Sequence, residues 1–150
     1  MTIGMTREQS VQNAISHLEL PDQVTIRAWR VSDYPDVRDL ALAEGWTTLT
    51  DRPEEGLHAW QRSWQALVAI RENVVIGFLR ALTDESVTLY VADLLVVPAW
   101  RGRGIGGSLL EMCHLLYPNV RFDLLSTQVA DEFYQKQGFR PFRGFRRSYR

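Results

Sequence analysis

Asp93-Leu94-Leu95-Val96-Val97-Pro98-Ala99-Trp100-Arg101-Gly102-Arg103-Gly104-Ile105-Gly106-Gly107-Ser108 is the stretch on which the fold turns. Leu94 to Val97 is an apolar run, and Pro98-Ala99-Trp100 ends it in a turn. Four glycines then fall within six positions, Gly102 to Gly107. Beyond them Ile105, Leu109, Met112, Cys113 and Leu116 share one helical face. The stretch reads strand, glycine loop, helix. Glycine admits positive φ and close backbone approach, and a helix start offers unpaired N–H groups with partial positive charge. Together they suit a phosphate or pyrophosphate. Each glycine costs roughly 0.5–1 kcal/mol relative to Ala, which argues against an idle loop.

Two patterns compete for this loop. Gly102, Gly104 and Gly107 fit the G-x-G-x-x-G dinucleotide fingerprint, with Asp123 about 20 residues further on. That fingerprint should follow its strand directly and open a βαβαβ half. Here the turn and Arg101 intervene, and Asp123 lies inside an apolar run. The same residues resemble the signature of the GNAT superfamily of acyl-CoA-dependent N-acyltransferases: Arg101, then Gly104, then Gly106. A second stretch, Ala130-Asp131-Glu132-Phe133-Tyr134-Gln135-Lys136-Gln137-Gly138-Phe139, is also similar to that family, in its Ala-x-x-Phe-Tyr-x-x-x-Gly-Phe pattern. The resemblance covers about Val24 to Tyr149.

Bulk properties agree with one globular domain over residues 1–150. Hydrophobic content is 45%, charged content 23%, and net charge −1, so nothing global argues for nucleic acid. The single cysteine, Cys113, cannot form an internal disulfide and reads as a small core residue. No apolar run is long enough to span a bilayer, and no signal sequence opens the chain, so no membrane partner and a cytoplasmic location are expected.

Taken in order, residues 1–20 read as an added helix, with Thr6 and Gln9 as a capping box and Val11, Ala14, Ile15 and Leu18 as its apolar stripe. The resemblance does not reach this segment, which is expected to pack on the domain or on a partner subunit; a homodimer is compatible with it. Val24–Trp29 reads as a strand. Ser32-Asp33 caps a helix that Gly45 stops. Gly45–Glu55 reads as a loop and Pro53–Trp64 as a helix. Strands follow at Ala66–Ile70, Val74–Leu82 and Val87–Val97, joined by short turns that require antiparallel pairing. Val120–Leu125 is a fifth strand, reached through the central helix and therefore parallel to the fourth. Thr127 caps a helix over Gln128–Gln137, and Gly138 ends it. Phe139–Phe142 and Phe145–Tyr149 read as a final hairpin. The expected fold is α+β: a mixed, mostly antiparallel sheet of about seven strands flanked by helices.

The resemblance implies that the fourth and fifth strands splay apart. It places the pantetheine arm of acetyl-CoA, or another acyl-CoA, along Leu95, Val96 and Val97. The pyrophosphate falls on the loop from Arg101 and Gly102 through Arg103, Gly104, Ile105, Gly106 and Gly107 to Ser108. An unpaired strand edge inside a sheet offers donors and acceptors to an amide-bearing ligand. Arg101 and Arg103 either bind phosphate or are solvated loop cations. Thr127 stands where the family often has Asn; it can cap the helix, and it is a further cofactor contact. Tyr134 matches the family's general acid, which protonates the departing thiolate; the alternative is a tyrosine packed in the core. Many members carry a Glu base where this chain has Ala92. Asp93 is the neighbouring carboxylate, though strict strand alternation puts it on the opposite face. Glu44 and a water chain are the other routes for the proton. No metal is implied.

Trp46, Trp60 and Trp64 either wall an amine pocket or fill the core. His58 reads as a surface residue. Arg140, Arg143, Arg146, Arg147 and Arg150 crowd the C-terminus; the near-neutral balance and strand pattern favour solvated hairpin faces or contact with an acidic substrate over nucleic acid. The expected activity is N-acetyl transfer from acetyl-CoA to the amine of a small molecule or peptide. A non-catalytic acyl-CoA-binding module is the alternative.

Overall fold

A computed structural model describes residues 4–149. Residues 1–3 of the added N-terminal segment and Arg150 of the basic run lie outside the described residues. One sheet holds β1 (Val24–Ala28), β2 (Ala66–Arg71), β3 (Val74–Thr83), β4 (Thr88–Val96) and β5 (Arg121–Leu124), in that spatial order. The first four pair antiparallel, and β5 runs parallel to β4. The β2–β3 link is a two-residue turn. Glu72 and Asn73 both adopt positive φ, 50° and 62°, the conformation whose twist matches the flanking strands.

Helices cover both faces. On one lie α2 (Tyr34–Ala43), the single-turn α3 (Thr48–Asp51) and α4 (Pro53–Arg62). There Val37, Ala41 and Trp60 pack on Val68, Ile70, Phe78 and Leu95. On the other lie α1 (Arg7–Ala14) and α5 (Ile105–Leu116). There Val11, Leu109 and Met112 pack on Ile26, Leu67, Leu79 and Leu89. The capping box of α1 forms as expected: Thr6 N–H donates to Gln9 Oε1 at 2.9 Å, and Gln9 N–H donates to Thr6 Oγ1 at 3.2 Å. Val11 is fully buried against the domain. Cys113 is fully buried too, and burial pushes its thiol pKa up.

The sheet has five strands rather than about seven. No strand forms over 139–149. Pro141 has no N–H to give to a ladder. Phe142, Phe145 and Tyr149 are 80%, 83% and 99% exposed, so these aromatics are not packed on the sheet. Two helices also differ from expectation. The loop after Gly45 contains α3. The last helix begins as a 3₁₀ turn over Gln128–Ala130 before α6 (Asp131–Lys136). Gly45 and Gly138 end their helices at φ 80° and 88°. Asp33 does not cap α2 with its side chain. Its carboxylate is held instead by Arg27 Nη1 and Nη2, both at 2.7 Å.

Candidate active site

The glycines of the loop divide into two kinds. Gly102 and Gly104 adopt φ 73° and 86°, and a Cβ on either would meet nothing within 4 Å. They shape an open turn that delivers the chain into α5, with Gly104 as its N-cap. Gly106 and Gly107 are packing positions. A Cβ on Gly106 would lie 3.1 Å from Phe133 Cζ, and one on Gly107 would lie 2.9 Å from Gln137 Oε1. The free donors of α5 belong to its first turn, Ile105, Gly106 and Gly107. Ser108 is not among them. Its N–H donates to Gly104 O at 2.9 Å, and its hydroxyl donates to Glu19 O at 3.4 Å. Arg103 lies over Trp100, its guanidinium carbon 4.4 Å from the ring centroid.

The strand edge beside the loop is one-sided. The last β4–β5 pair is Val91↔Leu124, so among the described residues β4 from Ala92 onward has no partner on the β5 side. Val97 N–H donates to Ile76 O at 2.9 Å, and Leu95 O sits 2.9 Å from the Cβ position of Gly77. Both residues therefore direct their backbone at β3. Alternation turns the N–H and C=O of Leu94 and Val96 into the opening. Of the three strand residues expected to meet a ligand, only Val96 faces it, and Leu94 joins it. That parity depends on the β3 register, which sequence alone does not fix. Arg101 reaches the same edge. Its Nε donates to Val96 O at 2.8 Å, and its Nη2 meets Glu44 Oε1 at 2.5 Å. Arg101 thus ties the end of α2 to β4, and its guanidinium is already shared between two acceptors.

Tyr134 is half-buried on α6, edge-to-face with Phe133 at 5.0 Å and Phe139 at 5.6 Å. Burial raises its phenol pKa, so the hydroxyl stays protonated at neutral pH. No hydrogen bond engages that hydroxyl among the described residues. Tyr134 lines a cavity of about 630 Å³ with Tyr90, Leu124 and Ser126, beside the point where β5 leaves β4. Thr127 is exposed and makes no side-chain cap; nearby, Ser126 donates to Asp131.

Asp93 lies against a different cavity, about 430 Å³, between α2–α4 and the sheet. A bulge explains its orientation. The register runs Arg80↔Asp93 and then Ala81↔Val91, so Ala92 is the extra residue and strict alternation fails there. Asp93 accepts from Arg80 Nε at 2.6 Å, and Arg80 Nη1 donates to Ser63 Oγ at 3.2 Å. Arg80, a cation in the middle of an apolar strand, was the available signal for this clamp. Glu44 does not line the cavity. Trp46 and Trp60 do, both edge-to-face with Phe78, at 6.4 and 5.4 Å. Trp64 is elsewhere, in the core on the other face, its Nε1 donating to Tyr117 Oη at 2.7 Å. His58 is exposed. Among the described residues no cluster of three or more His, Cys, Asp or Glu could hold a metal, and no helix is long and apolar enough to cross a membrane.

A mixed sheet that opens beside a glycine-led helix defines the class. Residues 62–141 match the family model of the acetyltransferase (GNAT) domain, and the chain belongs to that family. A GNAT-family acetyltransferase from Streptococcus pneumoniae TIGR4 superposes with TM-score 0.70 at 26% identity, over 85% of this chain and 98% of that one. An aminoglycoside acetyltransferase from an uncultured soil metagenome, in complex with sisomicin, shares the fold at 18% identity and TM-score 0.62, covering 88% and 98% of the two chains. The aminoglycoside N-acetyltransferase AAC(6')-Iy, in complex with CoA, does so at 18% identity and TM-score 0.61, covering 84% and 99%. No curated protein sequence matches the chain.

Proposed function

We propose that the protein transfers the acetyl group of acetyl-CoA to a primary amine by direct attack, both substrates being bound together. The observation that carries this reading is the continuity of the free β4 edge, at Leu94 and Val96, with the first turn of α5. The residues present fit the ligand. Leu94 and Val96 offer backbone groups to a pantetheine arm. The N–H groups of Ile105, Gly106 and Gly107 face a pyrophosphate, with Arg103 at the loop edge. A solved structure of the same fold is a complex with CoA, which supports a CoA ligand for this fold.

Acetyl-CoA supplies the thioester. In the transfer, the amine nitrogen bonds to the acetyl carbon, the C–S bond breaks, and the sulfur takes the electron pair. Tyr134 gives its phenolic proton to the sulfur, and its high pKa keeps that proton available. Asp93 faces the acceptor cavity and takes the proton released by the amine, directly or through water. Arg80 holds it in place at 2.6 Å.

Tyr134→Phe tests the acid role. Phe keeps the ring packed against Phe133 and Phe139 and removes only the hydroxyl. kcat is expected to fall on the order of 10²-fold, with acetyl-CoA affinity and melting temperature unchanged. The high-pH limb of the wild-type kcat profile should lie above the ordinary phenol range, because burial raises the phenol pKa, and should vanish in the variant. Full turnover by Tyr134→Phe would remove Tyr134 from the mechanism.

A further inference from the structure

Phe139-Arg140-Pro141, Phe142-Arg143-Gly144 and Phe145-Arg146-Arg147 are three successive Phe-Arg-x triplets, followed by Ser148-Tyr149-Arg150. The sheet does not absorb them. Phe139 is the anchor: it packs half-buried against the core, and its N–H donates to Tyr134 O at 3.0 Å. Beyond it, among the described residues, no backbone–backbone hydrogen bond holds 140–149. Arg140, Arg143, Arg146 and Arg147 form no ion pair among the described residues. Residues 138–150 hold five of the chain's 17 basic residues and no acidic one. The other 12 stand against 18 acidic residues, so residues 1–137 carry −6 and this segment +5. Its apolar side chains are as open as its charges, and aliphatic ones join them. Leu125, 44% exposed, has Cδ2 2.5 Å from the Cβ position of Gly144. Val129, 95% exposed, stands in the 3₁₀ turn whose Gln128 lines the same cavity as Phe142 and Gly144.

Three occupants suit a basic, aromatic surface, and its details choose among them. A second copy of the chain would set arginines against arginines. Single-stranded nucleic acid stacks bases on open ring faces. Here the Arg140 guanidinium lies over Phe142 at 5.3 Å and that of Arg143 over Phe145 at 5.2 Å, and Leu125 and Val129 offer a base no ring at all. An anionic bilayer uses every feature: cations at the phosphates, rings and aliphatic groups at the headgroup–acyl boundary, and arginine stems laid along the rings. We infer that the segment from Phe139 to Tyr149, with Leu125 and Val129 beside it, docks the domain on an anionic lipid surface. Such docking needs no membrane-spanning helix, and it does not rest on the acetyltransferase reading.

The test is co-sedimentation of the full chain with vesicles of phosphatidylcholine alone and of phosphatidylcholine mixed equally with phosphatidylglycerol. Binding is expected only to the mixed vesicles, and it should weaken as salt rises. Arg146→Gln with Arg147→Gln should lower the partition coefficient on the order of 25-fold, about fivefold for each arginine lost. Phe142→Ser with Phe145→Ser keeps every charge and should lower it at least about tenfold, with the melting temperature unchanged because both rings are exposed. No binding to the mixed vesicles, or full binding by the Phe142→Ser, Phe145→Ser variant, would overturn the inference. Anisotropy of a labelled oligouridine and sedimentation velocity of the free protein test the other two occupants. Oligouridine binding tighter than vesicle binding would reassign the segment to nucleic acid. A dimer lost in the double Phe variant would reassign it to a second copy.

Discussion

Gly104 and Gly106 both sit in the loop motif, yet the structure gives them different reasons to be glycine. Gly104→Asp meets no neighbouring atom, so the fold should survive with a penalty of about 1 kcal/mol from its φ of 86°. The carboxylate would occupy the space proposed for the pyrophosphate, and calorimetry is expected to show loss of acetyl-CoA binding. Gly106→Asp should lose binding and also lower the melting temperature, because its Cβ would press on Phe133 at 3.1 Å. Unchanged affinity in Gly104→Asp would place the cofactor elsewhere. Asp84 offers a second check at this scale. The backbone N–H groups of Thr88, Val87 and Ser86 donate to its carboxylate and lower its pKa to about 2. The stabilising contribution of this turn is present above the ordinary carboxylate value of ~3.9 and is lost as pH falls through about 2. A carbon-detected NMR titration should find Asp84 still ionised at pH 3; a midpoint near 3.9 would mean the turn is not formed in solution.

Among the elements, α1 shows how far the sequence reaches. Its capping box is written locally and forms, but the helix ends at Ala14 and passes into a 3₁₀ turn over Ile15–His17, so Leu18 of the expected stripe lies beyond it. Its packing partner is not local. Val11 is fully buried between α1 and the domain, so Val11→Ala should cost about 2 kcal/mol, read as a shift in the denaturation midpoint. A cost below about 0.5 kcal/mol would mean that the helix detaches in solution. Asp33 links β1 to α2 in a similar way. Burial pushes its carboxyl pKa up, but hydrogen bonds from Arg27 and the Arg30 backbone outweigh that and hold it below the usual value. Stability from this pair is full above the ordinary carboxylate range and falls as pH drops through the lowered value. Asp33→Ala leaves Arg27 without its partner and is expected to cost about 2–3 kcal/mol at pH 7. The strands, α2, α4 and α5 were legible because apolar period, caps and glycine stops are properties of neighbouring residues. The bulge at Ala92 was not, because it exists only in the pairing of β4 with β3. The same dependence hid the direction of Leu94 and Val96. The missing last hairpin had strand-like alternation in its aromatics, but Phe142 and Phe145 stay exposed and gain no burial from it.

At the scale of the whole molecule, the sheet separates two tasks. The face under α2 and α4 builds an aromatic cavity ending at Asp93. The opening between β4 and β5, continued by the first turn of α5, is where the proposed acetyl-CoA would lie. Arg101 joins the two sides by holding both Glu44 and Val96 O. In the proposed function these sides meet in one reaction, acetyl transfer from acetyl-CoA to an amine. The direct measurement is a paired assay in which the purified protein is incubated with acetyl-CoA and a panel of primary amines, with free CoA thiol and N-acetylated product quantified together by mass. One acetylamine is expected for each thiol released, and Gly104→Asp should abolish both. Tight acetyl-CoA binding with no product from any amine would contradict that function and leave a binding module.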